Sequence, residues 1–129
     1  MKRVLIVFAL FVATTAAFAA EPKGFVWGNQ PAAPSYVPDP VYAYNSTGGG
    51  ITITRLGMGS YRILFVGLSA AGAGHKSNVQ VTAYAERTTC NTGGWSAAGP
   101  DLNVTVTCFY IPDGSMHDSK FTALVTFSP

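Results

Sequence analysis

Leu102-Asn103-Val104-Thr105-Val106-Thr107-Cys108 is the stretch that decides the fold class. Leu102, Val104, Val106 and Cys108 fall on one side of an extended chain, and Asn103, Thr105 and Thr107 fall on the other. Such period-two alternation marks a strand with one face in a core and one in water. It places Cys108 on the core face. Working outward, the same period recurs in Val79-Val81-Ala83-Ala85 against Gln80-Thr82-Tyr84-Glu86, and in Phe121-Ala123-Val125-Phe127 at the C-terminus. Ile51 and Ile53 alternate with Thr52 and Thr54, and Val41 to Tyr44 reads as a short strand. Tyr61, Ile63 and Phe65 alternate with Arg62, Leu64 and Val66. The second set is partly apolar, so this strand is expected to be covered on both faces. Runs rich in Gly, Asn and Pro separate these segments: Asn45–Gly50, Leu56–Gly59, residues 67–77, Thr88–Pro100 and Pro112-Asp113-Gly114. No segment past the leader keeps a helical period. The pattern predicts an all-β chain, a single antiparallel β-sandwich or a partly open barrel.

The N-terminus is of another kind. Lys2 and Arg3 precede the apolar run Val4–Val12, and Thr14 to Ala20 supplies small residues. Ala17-Phe18-Ala19 puts small side chains at −3 and −1, which predicts a signal peptide over 1–19, cleaved after Ala19. The run is far short of the roughly 20 residues a membrane-spanning helix needs, so no membrane span is expected after cleavage. The destination is the periplasm or the exterior. Cleavage also changes the charge: the formal +2 belongs to Lys2 and Arg3, and the remaining basic residues balance the six acidic ones. A formally neutral domain lacks the basic patch that binds nucleic acid by counterion release.

Residues 20–40 carry Pro22, Pro31, Pro34, Pro38 and Pro40, which deny helix and ladder hydrogen bonds. Phe25, Trp27, Tyr36 and Val37 lie among them and are costly to leave wet. An extended segment packed over the domain is the expectation, with the antiparallel β domain spanning 41–129. Cys90 and Cys108 are the two cysteines, and in an oxidising compartment a bridge between them is expected. Cys90 is read as lying just past the preceding strand, so the bridge would join a strand end to the core face.

Few residues point to chemistry. Ser115-Met116-His117-Asp118 holds triad residue types, but triads converge from distant positions, and the segment reads as a polar turn. Asp113 and Asp118 fit no calcium-loop spacing; Asp113 reads as turn-forming and Asp118 as a capping or surface residue. The glycine runs precede no helix and cradle no phosphate. No catalytic residue, metal ligand or cofactor is assigned. Trp95, in a loop after Cys90, reads as a ring folded back on the disulfide, with an exposed ring offered to a sugar or a partner as the alternative. Trp27, Tyr42 and Tyr44 pose the same choice, the two tyrosines sharing one strand face. Asn45-Ser46-Thr47 and Asn103-Val104-Thr105 match the N-glycosylation pattern.

Taken in order, Trp27-Gly28-Asn29-Gln30-Pro31, Gly59-Ser60-Tyr61-Arg62-Ile63-Leu64-Phe65-Val66-Gly67-Leu68, Asn78-Val79-Gln80-Val81-Thr82-Ala83-Tyr84 and Val104-Thr105-Val106-Thr107-Cys108-Phe109 form a series. The series resembles a family of uncharacterised exported bacterial β-rich modules, often found as tandem copies. The resemblance spans nearly the whole chain past the leader and implies export, a disulfide-bearing β fold and no catalytic residues. The expected function is that of a non-enzymatic structural or interaction module whose partner, a protein or a glycan, is not named by the sequence. A carbohydrate-binding module using Trp95 and the Tyr42/Tyr44 face is the alternative, and a hydrolase built on His75 or His117 a distant third.

Overall fold

Cys108 is fully buried beside Val104 and Val106 on the inner face of its strand, as the alternation requires. The computed structural model describes residues 20–129, so the signal peptide at 1–19 lies outside the described residues. Among the described residues nine strands form two antiparallel sheets. The first (sheet A) has the order β3-β1-β9-β6, built from β1 (Lys23–Gly28), β3 (Ala43–Asn45), β6 (Lys76–Ala83) and β9 (Phe121–Ser128). The second (sheet B) runs β2-β4-β5-β8-β7, from β2 (Ser35–Tyr36), β4 (Ile51–Gly57), β5 (Ser60–Phe65), β7 (Thr88–Ala98) and β8 (Asp101–Tyr110). The two sheets face one another as a sandwich, and they do not close into a barrel. A single helical turn, α1 (Leu68–Ala71), buries Leu68 completely.

The core is the inner face of both sheets: Val26, Ala123 and Val125 from sheet A meet Ile53, Ile63 and Phe65 from sheet B. Burying each larger apolar side chain stabilises the fold by about 1.5–3 kcal/mol. The β5 strand, expected to be covered on both faces, is buried on its inner side and only partly covered on its outer one, where Leu64 is half-buried. Arg62 is exposed, and Val66 just past the strand is 40% exposed. The charge on Arg62 needs water, and that keeps the face open.

The Pro-rich segment holds a strand that its composition conceals. Lys23–Gly28 pairs with β9 over six residues and with β3 over three, so β1 is internal to sheet A rather than laid over it. Its inward positions are Gly24, Val26 and Gly28, and its outward ones are Phe25 and Trp27. The glycines stand where two core rings already fill the space. A Cβ on Gly24 would sit 2.8 Å from Phe65 Cε1, and one on Gly28 would sit 2.6 Å from Phe121 Cζ. The strand is thus turned inside out in sequence terms, with its large side chains outside. Val37, expected to help cover the domain, is 74% exposed.

A second correction concerns Thr88–Pro100. It is mostly strand, not loop, and Cys90 lies within β7 directly opposite Cys108. The disulfide joins this facing pair, with Cα atoms 4.1 Å apart. It staples two neighbouring strands within one sheet. A β-bulge at Gly93-Gly94 then shifts the register, so that Trp95 pairs with Val104 and shares its inward side. In unshifted register the same residues would set Trp95 opposite Asn103, on the outward side.

Asp118 is not a surface residue. Its carboxylate accepts from Arg55 Nε and Nη2 (2.8 Å to the latter), from the Gly59 backbone N–H at 2.7 Å and from the Tyr61 hydroxyl at 3.0 Å. The Tyr61 oxygen in turn accepts the Ser119 N–H. Burial pushes the Asp118 pKa upward, but the bonds from Arg55, Gly59 and Tyr61 outweigh it and hold the carboxyl below its ordinary value. Burial also raises the Tyr61 hydroxyl well above its usual range. The network ties the β4–β5 turn to the loop that leads into β9. At the opposite end Asn45 donates from Nδ2 to the Val66 carbonyl and accepts from Thr47 through Oδ1, cross-linking the two sheets.

Candidate functional site

In an antiparallel sheet, paired residues point to the same side. Phe25 pairs with Tyr44 on β3 and with Leu124 on β9, and Trp27 pairs with Thr122, so these side chains share the outer face of sheet A. Two further rings join them from outside the strands. Tyr42 ends a 3-10 turn (Pro40–Tyr42) whose start is capped by Asp39, which accepts the Val41 N–H at 2.9 Å. Tyr84 follows β6 and is anchored by its own N–H donating to the Lys120 carbonyl at 2.7 Å.

Both tyrosines stand edge-on to Trp27. The Trp27 and Tyr42 ring centroids are 5.0 Å apart with planes at 80°, and those of Trp27 and Tyr84 are 5.8 Å apart at 77°. Such perpendicular contacts are the favoured geometry of aromatic pairs. Phe25, Trp27, Tyr42, Tyr84 and Thr122 enclose an open cleft of about 280 Å³. Tyr42 and Tyr84 remain 49% and 64% exposed. The Trp27 indole N–H is shut off from solvent and finds no oxygen or nitrogen acceptor among the described residues, so packing alone holds the ring. The lining offers no carboxylate, imidazole, thiol or amine. Its chemistry is that of contact: apolar area, π-faces and a few hydroxyls.

The candidate residues read from sequence are divided by the fold. Trp27 and Tyr42 meet in the cleft. Tyr42 and Tyr44 do not share a strand, because residues 40–42 form the turn and β3 begins only at Ala43. Tyr44 stands beside the cleft on the same outer face, with Lys23 Nζ over its ring at 5.9 Å. Trp95 is on the other sheet and is not folded onto the disulfide. Its partner Val104 lies four residues from Cys108, which is about 13 Å of strand. The ring plugs the open seam between the sheets, its Nε1–H donating to Ser77 Oγ on β6 at 2.8 Å. Phe25, Tyr84 and Thr122 complete the cleft and were not assigned from sequence. The signal available was the inverted pattern Gly24-Phe25-Val26-Trp27-Gly28, with large residues flanked by glycines.

Elsewhere the reactive residue types are kept apart. Ser115 donates from Oγ to Asp113 at 2.7 Å, Asp118 is held by Arg55 and Tyr61, and the His117 ring rests against Tyr110 with centroids 5.6 Å apart. Ser115 bonds also hold Asp113 below its usual carboxylate range. Among the described residues no three His, Cys, Asp or Glu side chains gather as metal ligands. Asn45, in one glycosylation pattern, is buried with both amide groups bonded inside the fold. No family model, no curated protein and no solved structure matches the chain. The site is therefore read from its own geometry.

Proposed function

We propose that this protein is an exported, non-enzymatic binding module that holds a partner protein against the outer face of sheet A. One observation carries the reading: four aromatic side chains are gathered around a solvent-open cleft on one face. The outer face of sheet B presents Leu64 among Thr52, Thr54, Arg62, Asn103, Thr105 and Thr107, and none of these carries an aromatic ring. Exposed aromatic clusters mark interaction sites, where large rigid side chains give contact area at low entropic cost. The disulfide fits a periplasmic or extracellular setting, and among the described residues no helix is long and apolar enough to cross a membrane.

Carbohydrate recognition is the second reading. Sugar stacking calls for rings laid flat and open, with amide or carboxylate partners for the hydroxyls. Here the rings stand at steep angles and neither Asn nor Asp lines the cleft, which favours the protein partner. Site-specific photo-crosslinking tests the proposal. A benzophenone side chain at Tyr84 in the exporting cell is expected to give one discrete protein adduct, and the same group at Thr105 none. Equal labelling from both faces, or no adduct together with a positive glycan array, overturns it.

A further inference from the structure

We infer that two copies of this chain join edge to edge through the second half of β7, residues 94–98, about a two-fold axis at Ser96. The edge belongs to sheet B, so the inference goes beyond the reading of the sheet A cleft and does not depend on it. β7 is the last strand of its sheet and pairs with β8 alone. Which of its backbone groups are left over follows from β8. The Cys108 N–H donates to the Gly59 carbonyl and the Cys108 carbonyl accepts the His117 N–H, so at Cys108 the β8 backbone is turned away from β7. In an antiparallel ladder this direction alternates residue by residue. Thr105 and Asn103 therefore face β7, and their partners past the bulge are Gly94 and Ser96. Trp95 and Ala97 are left aiming their N–H and C=O groups out of the sheet, and no other backbone bond takes them up among the described residues.

The two halves of the strand differ in what lies beside them. Thr88 and Cys90 are buried, and Thr92 Oγ1 donates to the Val79 carbonyl on β6, so the first half lies against the other sheet. Past the bulge Trp95, Ser96, Ala97 and Ala98 are all exposed. This run carries none of the devices that close an edge to other strands: it has no charge and no proline, and its side chains are small apart from Trp95, whose indole is bonded to Ser77. Symmetry selects a second copy as the partner. With the axis at Ser96, Trp95 of each copy opposes Ala97 of the other, and every such pair exchanges two N–H···O bonds. The large ring then meets a single methyl group on one side of the joined sheet. On the other side Ser96 meets Ser96, a pairing of hydroxyls across the strands. Residues 20–129 carry six basic and six acidic side chains, so no net charge holds the copies apart. A two-fold contact of this kind occupies the free edge of both copies and closes at the dimer.

Sedimentation velocity of the exported protein over a concentration series reads the assembly. The contact belongs with the small, weak interfaces, and the dimer is expected to become the main species between roughly 0.1 and 1 mM. Ala97→Pro removes an outward N–H and leaves the β8 ladder whole; it is expected to raise the dimer dissociation constant roughly tenfold or more. Ser96→Lys and Ser96→Glu are each expected to stay monomeric, since like charges then meet on the axis, and an equimolar mixture of the two to dimerise again. Should Ala97→Pro fail to fold, this charge pair decides alone. A wild type that is monomeric at 1 mM, a dimer that persists in folded Ala97→Pro, or a mixture of the Lys and Glu variants no more associated than either by itself overturns the inference. Dissociation by Tyr84→Ala in place of Ala97→Pro moves the contact to sheet A and overturns it as well.

Discussion

Replacing Asp118 by alanine removes one carboxylate from beneath four donor groups, and its cost can be worked from their burial. Arg55 and Asp118 keep about a quarter of their side-chain surface in water, at 27% and 25%, so the ion pair itself is screened and Arg55→Gln is expected to change stability little. The Gly59 N–H and the Tyr61 hydroxyl are different, because both residues are buried and water cannot replace the lost acceptor. Leaving a buried donor unmade costs about 1–3 kcal/mol, so the two together destabilise by about 2–4 kcal/mol, with some relief if the hydroxyl rotates. For a domain of this length that is roughly 10–20 °C in Tm. Differential scanning calorimetry of the wild type, Asp118→Ala and Arg55→Gln measures it. The pH dependence has a fixed sign. The folded-state pKa of Asp118 lies below the ordinary 3.8, so its stabilisation is complete above that value and is lost as pH falls through the folded-state pKa. The wild-type Tm should drop more steeply below about pH 4 than that of Asp118→Asn. If Asp118→Ala melts within a few degrees of wild type, or no lower than Arg55→Gln, the carboxylate is not what holds the turn.

Three other outcomes are expected. Reducing the Cys90–Cys108 bridge, whose cysteines are 18 residues apart, should cost up to about 3 kcal/mol, read from urea midpoints with and without reductant. Gly28→Ala should destabilise by about 1–3 kcal/mol, because the buried Phe121 ring has nowhere to move; Thr122→Ala on the outer side of the neighbouring strand serves as a control with little effect on the urea midpoint. Trp95→Phe should lose the bond to Ser77 and about 0.5–1.5 kcal/mol, with faster amide exchange along β6 as its signature.

The parts legible in sequence were those where period two is written in large apolar residues. Strands β4, β5, β6, β8 and β9 were found within a few residues, and the cysteine pairing with them. The pattern failed where the inward residues are small. In β1 two of three inward positions are glycine, so the visible hydrophobicity of Phe25 and Trp27 is on the wrong side for a core. In β7 the glycine pair and Ser96-Ala97-Ala98 look like loop, yet ten cross-strand pairs with β8 hold the strand in place. Trp27 and Tyr42 were readable as candidates because aromatics are conspicuous. That Tyr84 joins them, and that Tyr44 and Trp95 do not line the cleft, depends on which chain ends meet in space. Asp118 was unreadable for the same reason: Tyr61, Gly59 and Arg55 lie 57, 59 and 63 residues away.

The bulge at Gly93-Gly94 has a consequence for how the molecule behaves in company. β7 is an edge strand of eleven residues without a single charge, and residues 20–129 carry six basic and six acidic side chains, formally neutral together. Long neutral edges invite pairing between copies, and electrostatic repulsion is not at hand to prevent it. The inserted glycine breaks the edge into two short runs of differing register. It also sets Trp95 on the inward side, where its indole N–H reaches Ser77 while 42% of the residue stays exposed. Deleting Gly93 would leave Trp95 opposite Val104 but restore one continuous ladder along the edge, a longer template for pairing between copies.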